Sequence, residues 1–274
     1  MSVIQPAIQP FGLADMVSAS RFIDFGHDAQ AAAVQQLAHL PRAMREWRKN
    51  PASHQLMALR CDALSHLALA FATQNRACFG KLADGLLAYP LAMLPKLRPS
   101  RTQLLVDLAL AISTRRHGVA KKLAGHIFAL REPACQVFAD DIYADLLARL
   151  YDLQFDAADQ GNRLLREMVQ AKRFDQVGTA YAAVWSSMVA CLLARDSAGL
   201  VQAATEITSH RREHLNRLLA SWAGGWHTEL QELDFWDIKT TALLAIADSF
   251  GLWPEDLDPA TIAFANWHWT QGRE

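Results

Sequence analysis

Residues 237–252 read DIKTTALLAIADSFGL, and this stretch decides the fold class. Asp237 is a residue type that caps the amino ends of helices, and the segment after it is apolar on more than one helical face. Gly251 favours the left-handed backbone that ends many helices, and Leu252 supplies the apolar contact that accompanies a glycine C-cap. The stretch therefore predicts a buried helix between Asp237 and Gly251.

Helical signals continue upstream of this stretch. From residue 28 onward, apolar residues recur at spacings of three and four, and the alternation typical of strands is absent. Asp196 is expected to cap a long helix that Gly224 and Gly225 stop. Past Asp156, a further helix is expected to carry Leu165 on its apolar face.

Other helix ends are marked by cations, glycine and proline. Arg115, Arg116 and Gly118 predict the carboxyl end of a helix, where the helix dipole favours cations and the C-cap favours glycine. Pro90 and Pro95 are expected to break an earlier helix.

These patterns predict an all-α fold: an irregular multi-helix bundle of about ten helices arranged as antiparallel helical hairpins. No fixed repeat period is present, so a regular helical array is the less favoured form. We expect a single domain over residues 1–274, with an N-terminal half 1–95 and a C-terminal half 96–274 packed together as the alternative.

Residues 176–194 carry no charged side chain and approach the length of a membrane span. Gln176, Ser186 and Ser187 lower the hydropathy of this segment. The composition predicts a fully buried central helix rather than a span.

The composition also limits the class of partner and the compartment. The formal net charge is −1 and the pI is about 6.8, which argues against nucleic acid or an anionic membrane as partner. Residues 1–16 lack the features of an export signal. The four cysteines, of which Cys191 is the last, form no C-x-x-C pair, so reduced thiols in a cytoplasmic protein are expected.

One motif matches a zinc peptidase pattern. Residues 210–214 read HRREH, which places His210 and His214 one helical turn apart with Glu213 as a possible general base. A third ligand is required, and Glu229 and Glu232 lie beyond the glycine pair. We therefore expect no bound metal, and a zinc hydrolase using His210, Glu213 and His214 stays an alternative function.

A second motif has carboxylates at the spacing of a magnesium site. Asp140 and Asp141 are adjacent, and Asp145 follows about one helical turn later, but no second acidic cluster accompanies them. Asp141 and Asp145 fall opposite the apolar face of the same helix, so a solvated face is expected instead. No cofactor and no catalytic residue is expected.

The C-terminal segment combines acids with tryptophans. Residues 228–274 hold nine acidic residues against two basic ones, together with four tryptophans. Tryptophan anchors ringed by carboxylates suit a surface that binds a basic protein, although the same tryptophans could instead fill the core. The predicted partner-binding residues are Glu229, Glu232, Asp234, Trp236, Trp253, Glu255 and Asp256. The basic helix ends near Arg115, Arg116, Lys121 and Lys122 are the second candidate surface.

Residues 214–259, HLNRLLASWAGGWHTELQELDFWDIKTTALLAIADSFGLWPEDLDP, resemble the C-terminal part of the immunity protein 49 family of bacterial polymorphic-toxin antidotes. The shared features are a long helix containing His214, a short loop, an alanine- and leucine-rich helix ending in Ala247-Asp248 and Gly251, and then an acidic residue and proline. The resemblance implies a cytosolic protein without catalysis that binds one cognate protein toxin. A helical scaffold or regulatory adaptor is the alternative, and the neighbouring gene distinguishes the two.

Overall fold

The computed structural model describes residue 67 and residues 76–93, 101–130, 139–174, 176–221 and 237–252. Within these residues the chain forms eight α-helices and no strand. They are α1 (Arg76–Met93), α2 (Arg101–Ser113), α3 (His117–Ala129), α4 (Ala139–Tyr151), α5 (Phe155–Gln170), α6 (Gln176–Ala194), α7 (Ser197–Ser221) and α8 (Ile238–Ser249). The predicted all-α, multi-helix bundle is confirmed.

Each helix from α1 to α6 packs against the next one along the chain. The turns from α2 to α3, α4 to α5, α5 to α6 and α6 to α7 are only a few residues long, so these pairs form antiparallel hairpins. Helix α8 departs from this order, because it returns to contact α2, α4 and α6. Helix α8 thereby contacts every second helix of the series from α1 to α7, namely α2, α4 and α6.

Helices α2, α4, α6 and α8 run in the same direction, and we call them the parallel set. The residues at the carboxyl ends of α2, α4 and α8 line one cavity, and Arg195, directly after α6, lies over the ring of Phe250. At the amino ends, Tyr181 of α6 donates a hydrogen bond to Asp237, which precedes α8. Both ends of α8 are therefore fixed to the other members of the set.

Helix α8 is the buried helix that the sequence predicts. Every residue from Ile238 to Ala247 except Lys239 is buried. The Asp237 side chain accepts a hydrogen bond from the Thr240 backbone N–H at 3.1 Å, as expected of an N-cap. Gly251 has a φ of +71°, and the Leu252 N–H donates to the Ala247 carbonyl at 3.0 Å. The predicted helix start and glycine C-cap are both confirmed.

Four other helices end in the same C-cap geometry without glycine. At the ends of α2, α4, α5 and α6 the left-handed position holds Arg115, Leu153, Lys172 and Arg195, with φ of 58°, 62°, 51° and 56°. In each case the next residue donates its N–H to the carbonyl five positions earlier. The expected role of Gly118 is therefore wrong: the turn is shorter than predicted, and Gly118 lies in the first turn of α3.

Two further expectations about the helices need correction. Helix α1 does not end at Pro90 but continues to Met93, so the loss of one backbone donor does not stop it there. Helix α6 has the predicted bounds, but Ala183 and Ser187 on it are exposed, so it is not fully buried. Its exposed positions carry no charge, which explains why the sequence suggests complete burial. None of the described helices is long and apolar enough to cross a membrane.

Candidate binding surface at the carboxyl ends of the parallel helices

A cavity of about 220 Å³ opens where α2, α4 and α8 end. Its apolar lining residues are Ile112, Leu150, Leu153, Ala245, Ile246 and Phe250, and its polar ones are Arg115, His117, Tyr151 and Ser249. The walls come from α2, α4 and α8, from the turns that follow α2 and α4, and from His117 at the start of α3. The cavity is therefore mainly apolar, with hydrogen-bonding groups at its edge.

The polar edge of the cavity is organised by local contacts. Arg115 forms an ion pair with Asp248, which joins the carboxyl ends of α2 and α8. The rings of His117 and Tyr151 are stacked with an interplanar angle of 15°, and His117 Nδ1 lies 3.1 Å from the Tyr151 hydroxyl. Burial, with the nearby Asp152 carboxylate, raises the pKa of Tyr151. Its hydroxyl therefore keeps its proton at neutral pH and can donate a hydrogen bond.

Apolar side chains stand exposed beside the cavity. Among the described residues, the large hydrophobic side chains that are exposed are Leu153, Phe155 and Leu164. Leu153 lies in the α4–α5 turn, and Phe155 is the first residue of α5. Phe155 packs edge-on against Phe250, with ring centroids 5.6 Å apart, and the Arg195 guanidinium lies 5.9 Å from the Phe250 ring centre. Aromatic residues and arginine around an apolar depression are typical of protein-binding surfaces. We call this region, Arg115, His117, Tyr151, Leu153, Phe155, Arg195 and Phe250, the carboxyl-end surface.

The sequence does not single out this surface. Its residues are spread over more than a hundred positions, and only the packing of α8 against α2 and α4 brings them together. One local signal points to it: Leu153 is a large apolar residue in a short turn between two helices, where polar residues are usual, and Phe155 begins the next helix. Arg115, which belongs to the second candidate surface, also lines the cavity.

The other end of the parallel set holds a buried polar cluster. The Tyr181 hydroxyl donates to the two Asp237 carboxylate oxygens at 2.9 and 3.1 Å, and the Thr240 hydroxyl donates to Asp237 at 2.6 Å. The Lys239 ammonium lies 4.5 Å from the ring centre of Tyr143 and 4.9 Å from that of Tyr181. These contacts satisfy a buried carboxylate and connect α8 to α4 and α6. The cluster therefore positions α8.

The expected solvated face on α4 is wrong. Asp141 is buried, and Asp145 is largely covered and forms an ion pair of 2.5 Å with Arg149 one turn later. The reason is that α4 contacts α2, α3, α5 and α8, so little of its surface faces water. The described residues contain no group of three His, Cys, Asp or Glu side chains that could hold a metal ion.

The zinc motif lies on α7, which extends over residues 210–214 as a helix. His210 Nε2 is 3.7 Å from a Glu206 carboxylate oxygen one turn earlier. The side chains of Glu213 and His214 lie outside the described residues. A zinc hydrolase activity stays a prediction.

Cys191 lies on α6 as a free thiol. Burial is the largest cause that raises its pKa, and Asp196 adds to the effect. Because the thiolate is the reactive form, this environment disfavours Cys191 as a nucleophile at neutral pH.

We expect iodoacetamide to alkylate Cys191 more slowly in the folded protein than in the urea-unfolded chain at the same pH. The pH at which the alkylation rate reaches half its maximum should therefore be higher for the folded protein. A raised pKa leaves less thiolate at each pH. The measurement follows the Cys191 peptide by mass spectrometry across a pH series. A folded-state midpoint at or below the unfolded one would contradict the effect of burial.

The predicted partner-binding residues, Glu229, Glu232, Asp234, Trp236, Trp253, Glu255 and Asp256, lie outside the described residues. They join the described chain at the two ends of α8. Residues 229–236 precede Asp237, whereas residues 253–256 follow Leu252 at the other end of α8. A helix of 12 residues is about 18 Å long. The second group therefore attaches beside the carboxyl-end surface, and the first attaches at the Asp237 end.

Comparisons with protein-family models, with curated proteins and with solved structures found no match to this chain.

Proposed function

We propose that this chain is an immunity protein that binds a cognate bacterial protein toxin and neutralises it by occluding the toxin's active site. The observation that carries the proposal is the carboxyl-end surface, where exposed Leu153 and Phe155 border an apolar cavity. Large apolar side chains that stay exposed beside an apolar cavity are typical of protein interaction sites, where a partner gains affinity by covering them.

The resemblance of residues 214–259 to toxin antidotes supports the choice of toxin as partner. Residues 237–252 of this stretch form α8 with its Asp237 cap and Gly251 ending. The acids that follow, Glu255 and Asp256, attach to the end of α8 that borders the cavity. A single toxin could therefore contact both the carboxyl-end surface and these steering charges.

The functional test uses the open reading frame next to the gene for this protein. Its toxin domain is expressed in a bacterial host with and without this chain, and surviving colonies are counted. Protection by this chain, together with a complex of the two proteins in size-exclusion chromatography, is the expected result. A toxic neighbour that this chain neither binds nor blocks would refute the proposal. A neighbour with a signalling or metabolic function would favour the adaptor.

The sequence-predicted acidic residues have a separate test within this proposal. We expect the double variant Glu255→Lys/Asp256→Lys to associate with the toxin about tenfold more slowly at low salt, with nearly unchanged thermal stability, because rim charges mainly affect the association rate. Stopped-flow binding at two salt concentrations measures this. The variant Lys121→Glu/Lys122→Glu reverses two charges of the opposite sign on α3, and its association rate shows whether the second candidate surface also contacts the toxin. Unchanged kinetics for the acidic variant would remove residues 255–256 from the interface.

A further inference from the structure

Leu153 differs from the other residues that share its backbone conformation. Of the four non-glycine residues with left-handed φ, three are the long cations Arg115, Lys172 and Arg195, and the fourth is Leu153. This conformation is unfavourable for residues with a Cβ, because the Cβ lies too close to the following carbonyl oxygen. The Leu153 side chain is also 59% exposed. Leu153 therefore combines an unfavourable backbone conformation with an exposed apolar side chain, and little packing within the protein offsets either.

Leu153 lines the cavity, whose size suits one aromatic ring. The cavity volume is about 220 Å³, whereas an apolar cavity of about 150 Å³ is sufficient to bind benzene. The residues that line it include His117 and Tyr151, whose rings are stacked, and Phe250. Aromatic rings gain from edge-on and offset contacts with such walls. An inserted ring would cover Leu153 and fill the space.

Charges on the neighbouring helix indicate what should accompany that ring. The α2–α3 turn and the first turns of α3 carry four cations, Arg115, Arg116, Lys121 and Lys122, of which Arg115 lines the cavity. Arg115 pairs with Asp248 and Arg116 with Asp84. Lys121 is exposed and lies one helical turn after His117, on the same face of α3. An acidic group on the partner would complement this side.

We propose that the cavity beside Leu153 binds one aromatic side chain of a partner protein, with an acidic residue of the same partner segment facing Lys121. Naming the partner as the toxin rests on the function proposed above. The cavity, the exposed leucine and the basic side are properties of this chain alone. The binding chemistry can therefore be tested with and without a toxin.

The first experiment uses N-acetyl-tryptophanamide as the probe and the full-length protein. In methyl NMR spectra, we expect millimolar probe to shift the signals of Leu150, Leu153 and Ile246, which line the cavity, and to leave those of Leu200 and Ile207 on α7 unchanged. The absence of shifts at the cavity methyl groups would overturn the proposal. This result does not depend on whether the protein neutralises a toxin.

The second experiment compares two glycine variants that relieve the same backbone conformation. Leu153→Gly and Lys172→Gly should both leave the melting temperature unchanged or raise it, because glycine accepts left-handed φ. Leu153→Gly should nevertheless weaken the toxin complex roughly thirtyfold, as loss of an interface anchor does, whereas Lys172→Gly, at the end of α5, should not. Full toxin affinity in Leu153→Gly would exclude Leu153 as a contact. A wild-type protein that binds no toxin would refute the proposed function, and the probe titration would still decide this inference.

Discussion

Replacement of Asp237 by alanine is expected to lower the free energy of unfolding by about 2–4 kcal/mol. The loss of the α8 N-cap contributes roughly 1 kcal/mol. The remainder arises because the buried Tyr181 hydroxyl loses the carboxylate to which it donates, and an unsatisfied buried polar group costs about 1–3 kcal/mol. Urea unfolding followed by circular dichroism measures the change.

A matched control for this variant lies elsewhere in the chain. Asp196 is also an N-cap aspartate, whose side chain accepts from the Gly199 N–H at 2.9 Å, but it is exposed. Asp196→Ala should therefore cost only the cap, about 1 kcal/mol. Equal losses for the two variants would show that the Tyr181 hydrogen bonds contribute nothing to stability.

Trp185→Ala is expected to be at least as damaging, with a loss of about 3–5 kcal/mol. Trp185 lies on α6, is completely buried, and packs edge-on against Tyr143 of α4, with ring centroids 4.8 Å apart. Truncation to alanine leaves a cavity between two members of the parallel set. The melting temperature and the urea midpoint should both fall.

Trp185→Phe separates packing from hydrogen bonding at the same position. The Trp185 indole N–H is buried and has no hydrogen-bond partner among the described residues. Phenylalanine keeps an aromatic ring against Tyr143 and removes this unsatisfied donor, so the cost should stay below about 2 kcal/mol. If phenylalanine destabilises as much as alanine, the indole N–H makes a contact that matters for folding.

The features that the sequence predicts well depend on neighbouring residues. The caps at Asp196, Asp237 and Gly251 and the bounds of α6 are set by chemistry within about one helical turn, so they can be identified without knowing the fold. Residue type at these positions is sufficient to predict the helix ends.

The features that the sequence does not predict depend on distant residues. Asp141 has the spacing of a polar face, yet it is buried because α4 contacts four other helices. The local sequence does not show how many helices pack against α4. Arg115 and Leu153 adopt a conformation that favours glycine, so their turns were not recognisable from residue type. The cavity needs Ile112, Leu150 and Phe250 in one place, which is a consequence of where α8 returns. Tertiary packing therefore decides the candidate site.

The return of α8 also determines the order in which the protein can be completed during synthesis. Arg115 and Asp248 pair across 133 positions, so the ribosome makes α2, α4 and α6 long before the helix that covers them. The hairpins from α1 to α7 can form early because their contacts are local, whereas the docking of α8 closes a large loop. Until then the nascent chain presents the apolar faces of three helices to chaperones and proteases. A stop codon before Asp237 would make that exposed intermediate permanent.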